Sequence, residues 1–117
     1  MVDPTASGTV IVVASEGMGR ADVELQKKLM ATYLRLLLEN GTTPGAVCFY
    51  TEGVKLAVEG SPVLDSLREL EARGTHLILC KTCLEFFGLA ERVRVGVIGG
   101  MTDILAAQMK ASKVITL

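Results

Sequence analysis

Short segments that are almost entirely apolar alternate along the chain with longer segments in which apolar residues return every three or four positions. Segments of the first kind are typical of strands buried on both faces, and segments of the second kind are typical of amphipathic helices. The short segments predict five strands, at residues 9–14, 46–50, 76–80, 93–98 and 114–117. The longer segments predict four helices, between Asp22 and Gly41, between Ser61 and Gly74, and at residues 84–91 and 102–110.

The limits of the first two helices are marked by residues with strong end preferences. Asp22 can cap the first helix, and Gly41 ends it. The second helix has Ser61 as its N-cap, Pro62 at its first position and Gly74 just past its end. These signals predict where each helix begins and where the chain turns back.

Strands and helices follow one another in turn, with short connections. This order predicts an α/β fold in which parallel strands are joined by right-handed crossovers and helices cover both faces of one sheet. Three loops follow strands, at residues 15–20, 51–60 and 81–87, and we expect them to meet at the carboxyl edge of the sheet, where ligands and reactive groups gather. Residues 1–8 are predicted to form a flexible tail and residues 9–117 a single domain.

The composition narrows the function classes. The 117 residues include 12 Lys and Arg against 13 Asp and Glu, a formal net charge of −1, so nucleic-acid binding is not expected. Residues 10–14, the longest apolar run near the N-terminus, fall far short of the roughly 18 to 20 residues of a membrane span. We therefore expect a cytoplasmic protein without membrane contact. Because 50% of the residues are hydrophobic, we also expect apolar surface for a homo-oligomer.

Two thiols two residues apart are the strongest chemical signal. Cys80, Lys81, Thr82 and Cys83 stand where a predicted strand gives way to a helix, and Cys48 lies within another strand. In the cytosol such thiols are reduced and available for chemistry. Backbone N–H groups at a helix start and the ammonium of Lys81 are expected to lower a thiol pKa below its usual value of about 8.5.

Several uses of this pair are open. The cysteines can be small buried hydrophobes, or they can exchange between dithiol and disulfide. A metal site would need His76 with Cys80 and Cys83, but zinc prefers four ligands and Cys48 lies inside its strand. A persulfide, R–S–SH, can also form on one thiolate and be handed to another thiol without a cofactor. The sequence predicts neither a cofactor nor a bound metal ion.

Gly17, Met18 and Gly19 follow a strand and precede a helix, as in some phosphate sites. The loop lacks the third glycine of a dinucleotide fingerprint and the Lys-Ser/Thr of a P-loop, and Glu16 would repel an anion. A tight turn at the rim of a cleft, supporting the thiol site, is therefore the favoured interpretation. Binding of a nucleotide or another small ligand stays an alternative.

Four stretches together resemble a known family. They read GMGRADVELQKKLM, VKLAVEGSPVLDSLRELEARG, CKTCLEFFGL and MTDILAAQMKASKVITL. The chain is similar to DsrE-like proteins, and most similar to the C-terminal domain of YedF-like "sulfurtransferase-like selenium metabolism" proteins. The resemblance implies a three-layer αβα fold of the Rossmann or flavodoxin type, with a mainly parallel five-stranded sheet. It also implies dimers, trimers or hexamers, and cytosolic sulfur relay with Cys80 as the persulfide carrier and Cys83 as the second thiol.

Two departures bear on that implied function. Lys81 stands where the YedF-like branch usually has Gly, and the N-terminal TusA-like domain of the longer relatives has no counterpart in this sequence. We therefore expect the sulfur donor and acceptor to be separate proteins, with a TusA-like protein as one candidate. The leading hypothesis is a persulfide carrier or sulfurtransferase that uses Cys80. The alternative is a thiol redox sensor or a protein-interaction module that uses the Cys80/Cys83 pair.

Overall fold

The computed structural model describes residues 7–117, and its centre is one sheet of five parallel strands. The strands are β1 (Thr9–Val13), β2 (Ala46–Phe49), β3 (His76–Cys80), β4 (Val97–Gly99) and β5 (Lys113–Thr116). They lie in the order β4-β3-β2-β1-β5. Residues 1–6 of the predicted tail lie outside the described residues. Gly8 accepts hydrogen bonds from the backbone N–H and the hydroxyl of Ser112.

The connections place helices on both sides of the sheet. The α-helices are α1 (Val23–Glu39), α2 (Leu64–Ala72), α3 (Lys81–Phe86) and α4 (Met101–Lys110), and 3₁₀ helices span Thr51–Ala57 and Ala90–Arg92. The crossovers from β1 to β4 all run in one direction, whereas the last one returns to the far edge beside β1. Since such crossovers are right-handed, α1, α2 and α3 lie on one face and α4 on the other. The predicted α/β, Rossmann-like architecture is thus confirmed.

The central strands owe their position to their side chains. All residues of β1 and β2 are buried, as expected for apolar, largely β-branched strands covered on both faces. The edge strands β4 and β5 keep most of their residues exposed or half-buried. On the face covered by α1 and α2, the buried helix side chains that face the sheet are Met30, Leu34, Leu67 and Leu70.

Several predicted boundaries are wrong. Residues 51–60 are not an open loop, because a 3₁₀ helix buries Val54, Leu56 and Ala57 against the core. Helix α2 begins at Leu64 instead of Pro62. The side-chain oxygen of Ser61 does accept a backbone bond, from Val63 N–H at 3.2 Å, but Val63 has non-helical dihedrals and the turn before the helix takes up Pro62.

The segment after β3 also differs from its prediction. The helix predicted at residues 84–91 is α3 (Lys81–Phe86), which begins directly after the strand and ends before Gly88 at φ +67°. Strand β4 begins at Val97 instead of residue 93, because Gly96 adopts φ +84° and the preceding Val93 pairs with Val58 in an antiparallel bridge. The remaining helix and strand ends differ by one or two residues, as fraying ends do.

Within residues 7–117, none of the helices combines the length and the apolar character needed to traverse a lipid bilayer.

Candidate functional site

The carboxyl ends of β1, β2 and β3 meet at one place, which we call the thiol edge and define by Ala14, Thr51, Cys80 and Cys83. Cys80 is the last residue of β3, and Cys83 lies in the first turn of α3. The hydroxyl of Thr51 donates to the carbonyl oxygen of Ala14 at 2.5 Å, and the backbone N–H of Thr51 donates to Cys83 Sγ at 3.0 Å. These two bonds confirm that the loops after the first three strands converge.

The two thiols of the pair have unequal access to solvent. Cys80 is 2% exposed, whereas Cys83 is half-buried. The Cys80 side chain is close enough to Cys83 to raise the pKa of the Cys83 thiol. Lys81 and Thr82, which were predicted to support the site, lie between them with exposed side chains. The structure therefore brings both cysteines to one point and leaves the intervening residues facing water.

Thr51 was not predicted as a site residue. Its φ of +47° is unusual for a β-branched residue and is the one positive φ among the described non-glycine residues. Such strained conformations persist only when surrounding contacts hold them, and here the hydroxyl bond to Ala14 does so. No signal in the sequence marks a threonine for this conformation. The nearest clue is its place directly after a strand at the predicted edge.

The electrostatics of Cys83 differ from the prediction. Burial and the neighbouring Cys80 side chain raise the pKa of Cys83 above its ordinary value, and the Thr51 N–H offsets part of this rise. The expected lowering of a thiol pKa is therefore wrong for Cys83. The charge of Lys81 points into water, where its field is screened, and α3 is a helix of only 6 residues. At neutral pH Cys83 is thus mainly a thiol.

A cation sits beside the thiol edge on the 3₁₀ helix Thr51–Ala57. Lys55 Nζ lies 2.9 Å from Glu52 Oε2 and 4.5 Å from the ring centroid of Phe87. The hydrogen bond to Glu52, with the nearby charge of Glu16, raises the pKa of Lys55. Phe87 in turn meets Phe86 edge to face, and Phe86 is 84% exposed. The rim of the thiol edge therefore presents both a fixed charge and an uncovered aromatic ring.

The glycine loop is a tight turn folded onto α1. A Cβ at Gly17 would lie 2.5 Å from the Cβ of Gln26, so the close approach requires glycine there. Gly19 adopts φ +73°, and its carbonyl accepts the side-chain amide of Gln26 at 3.0 Å. The backbone N–H of Met18 already donates to Gln26 O at 3.0 Å and is not available to a phosphate. This geometry is that of a tight turn packed against the first turns of α1.

Metal ligands do not gather in the described part of the chain. Among residues 7–117, no three His, Cys, Asp or Glu side chains are grouped closely enough to hold an ion. His76 and Cys80 stand at opposite ends of β3, about 13 Å apart along the strand. Cys48 lies in the middle of β2 with 0% exposure, and burial raises its pKa to about 11. We therefore expect the Cys48 thiol to be unreactive in the folded protein.

A cavity of about 430 Å³ lies elsewhere, between β3, β4, the end of α2 and the start of α4. Its wall includes Ile78, Val97 and Asp103 but neither Cys80 nor Cys83. The cavity is therefore separate from the thiol edge, and its surface is mainly apolar.

The fold and the site define a class: a one-sheet parallel α/β protein with a thiol pair at the carboxyl end of its third strand. The chain belongs to the DsrE/DsrF-like family, whose model matches residues 10–117. No curated protein matches it significantly.

Three solved structures share this fold. The ychN protein from E. coli superposes with a TM-score of 0.68 at 19% identity, covering 93% of this chain and 97% of that chain. Protein MTH1491 from Methanobacterium thermoautotrophicum gives 0.67 at 20% identity, with the same coverages of 93% and 97%. Protein BT1422 from Bacteroides thetaiotaomicron gives 0.65 at 17% identity, covering 98% of this chain and 99% of that chain. At these identities the similarity shows the fold.

Proposed function

We propose that this protein is a sulfur-relay protein, a persulfide carrier or sulfurtransferase in which Cys80 holds the transferred sulfur. The observation that carries the proposal is the pair of free thiols at the thiol edge, with the Thr51 N–H 3.0 Å from Cys83 Sγ. Membership of the DsrE/DsrF-like family supports it, since that family is generally associated with sulfur relay.

The chemistry needs only thiols and a persulfide donor. A cysteine thiolate attacks the terminal sulfur of R–S–SH, the S–S bond of the donor breaks, and R–S⁻ leaves as the protein becomes Cys–S–SH. The acceptor thiolate then attacks the same sulfur and releases the protein thiolate. Neither step has a net oxidant or reductant, so the residues of the thiol edge suffice.

Protein partners follow from this chemistry. The resemblance to YedF-like C-terminal domains makes separate donor and acceptor proteins, such as a TusA-like protein, part of the proposal. A homo-oligomer also belongs to it. Apolar side chains are exposed on α4 at helical spacing, where Met101, Leu105 and Met109 are 53%, 56% and 78% exposed. Covering them with a second copy would remove apolar surface from water.

Intact-mass measurement after incubation with a persulfide donor and desalting tests the proposal. We expect one retained sulfur atom, an increase of about 32 Da, that a reducing agent removes. The double variant Cys80→Ser/Cys83→Ser should retain none, whereas the matched control Cys48→Ala should retain as much as the unmodified protein. Peptide mapping should place the sulfur on Cys80. Uptake by the double variant, or no uptake by the unmodified protein, would contradict the proposal.

The closeness of Cys80 and Cys83 also favours a second candidate, a redox sensor in which the pair closes to a disulfide. This candidate predicts a reversible loss of two hydrogen masses on titration with a glutathione buffer. It also predicts no sulfur uptake from a persulfide donor. The same mass spectra therefore separate the two functions.

A further inference from the structure

The two thiols of the thiol edge differ in ways that fit two separate tasks. Cys80 is 2% exposed and lies at the end of a buried strand, so a sulfur atom held there is shielded from water and from stray thiols. Cys83 is half-buried, so a donor can reach its sulfur. A bulky donor, such as a persulfide on another protein, meets Cys83 before it meets Cys80.

A fixed hydrogen-bond donor is directed at the outer thiol. The backbone N–H of Thr51 lies 3.0 Å from Cys83 Sγ. A hydrogen-bond donor that is already in place before the reaction stabilises negative charge as it develops, because no group has to reorient during the reaction. Cys83 Sγ carries negative charge whenever it attacks a donor or leaves from a persulfide, so this N–H serves both steps.

We propose that Cys83 is the receiving thiol of the relay and that it passes sulfur inward to Cys80. This inference rests on the proposed function and deepens it by giving the order of the thiols. In the first step Cys83–S⁻ attacks the terminal sulfur of R–S–SH, which yields Cys83–S–SH and R–S⁻. In the second step Cys80 attacks that sulfur and gives up its proton, and the departing Cys83 sulfur takes up a proton, which yields Cys80–S–SH and Cys83–SH.

The second step is intramolecular and conserves oxidation state. One S–S bond breaks as another forms, and the sulfur atom moves between two side chains that lie beside each other at the thiol edge. Reactions between groups held in contact proceed with a large proximity advantage. The transfer of sulfur from Cys83 to Cys80 should therefore be faster than the reaction of Cys83 with the persulfide donor.

Time-resolved uptake in single variants tests this order. The assay uses the folded full chain, a protein-bound persulfide as donor, and quenching by alkylation before mass measurement. In Cys83→Ser, uptake should slow by about tenfold or more, because the donor must reach the buried Cys80. In Cys80→Ser, the sulfur should stay on Cys83, and a scavenging thiol should remove it about tenfold faster than from the unmodified protein. Cys48→Ala serves as the matched control and should behave as the unmodified protein.

The outcomes separate this order from the proposed function itself. Uptake by Cys83→Ser at the unmodified rate, with sulfur on Cys80, would overturn the order and leave the sulfur-relay function standing. No uptake by the unmodified protein would overturn both. Cys83→Ala, which adds no hydroxyl, repeats the measurement, and a thermal melt of each variant shows that the rate change is not loss of fold.

Thr51 is the positioning residue in this scheme, and a pH profile tests it. Thr51→Gly keeps the N–H but removes the hydroxyl that ties the residue to Ala14, so the N–H is no longer held against Cys83 Sγ. The pH midpoint of Cys83 alkylation should move upward in Thr51→Gly and return in the conservative variant Thr51→Ser. Equal midpoints in all three proteins would show that the Thr51 hydroxyl does not hold the Thr51 N–H in place against Cys83 Sγ.

Discussion

Two neighbouring strands carry thiols in opposite chemical situations. Cys48 in β2 lies level with Ile78 of β3, and Cys80 is two residues, about 7 Å, further along that strand. Cys48 has 0% exposure, and burial raises its pKa to about 11, whereas Cys80 ends its strand against Cys83 and the thiol edge. Both residues are cysteines, so the comparison teaches that the position along a parallel strand separates an inert thiol from one that can react.

The largest expected effect is on thiol labelling in the native state. Cys83 should react with iodoacetamide directly, whereas Cys48 should react only through unfolding. Since the free energy of global unfolding is about 5 to 15 kcal/mol, we expect Cys48 to react at least about 10³-fold more slowly than Cys83. Mass spectrometry of peptides after timed labelling measures both rates.

Urea provides the internal control for this prediction. Concentrations below the unfolding midpoint should accelerate labelling of Cys48 steeply and of Cys83 only slightly, because only the first depends on global opening. Comparable rates for the two residues in the absence of urea would break the comparison.

A smaller effect, on the free energy of unfolding, is expected when the packing of the 3₁₀ helix Thr51–Ala57 against β1 is disturbed. Gly53 lies in the 3₁₀ helix that begins at Thr51, and a Cβ at this position would overlap the backbone carbonyl of Val13. Backbone cannot yield as a side chain does, so Gly53→Ala should lower the free energy of unfolding by about 3 kcal/mol or more. Urea denaturation monitored by circular dichroism measures the change.

Gly100→Ala is the matched control for Gly53→Ala. Gly100 has φ −85°, and the nearest atom to an added Cβ is Thr102 N at 3.9 Å. This substitution should change the free energy of unfolding by no more than about 1 kcal/mol. Equal losses in both variants would show that the close approach at Val13 is not what holds the 3₁₀ helix in place.

The smallest effect concerns alkaline stability. The pKa of Cys48 is about 11 in the folded protein, against about 8.5 for a cysteine in an unfolded chain. The folded state therefore binds more protons at alkaline pH, and stability is lost as the pH rises through this window. Removing the thiol in Cys48→Ala should abolish about 2 kcal/mol of the loss between about pH 7 and pH 10.

Urea titrations of the unmodified protein and of Cys48→Ala across this pH range measure the difference. Cys48→Ala is expected to be less stable at neutral pH because it leaves a small cavity, so only the slope against pH is compared. Parallel slopes would mean that Cys48 is not sealed from solvent as its burial indicates.

Much of the architecture could be read from local patterns. Uniformly apolar runs such as those of β1 and β2 identify central strands, and Gly74 past the end of α2 marks a helix end correctly. Boundaries failed where long-range packing competes with local preference. The 3₁₀ helix Thr51–Ala57 follows from burial of Val54 and Leu56 under neighbouring elements, which no local pattern encodes.

The candidate site divides in the same way. The pair Cys80/Cys83 and its place at the end of the third strand follow from the sequence, as does the tight turn at Gly17 and Gly19. Thr51 does not, because its contact with Cys83 joins residues 32 positions apart and depends on a left-handed backbone held by Ala14. The direction of the pKa shift of Cys83 also required the structure, because burial, which outweighs the Thr51 N–H here, is a tertiary property.

The sequence by itself determined that this protein is a parallel α/β domain with a thiol pair at the carboxyl end of its third strand. It could do so because strand and helix periodicities are local, and because parallel strands align their carboxyl ends at one edge. Only the tertiary structure decided which of the two thiols is buried and which is accessible. It also decided that a backbone N–H from another loop faces the accessible one. Both depend on how the 3₁₀ helix Thr51–Ala57 packs against α3, and that packing is fixed by contacts between residues far apart in the chain.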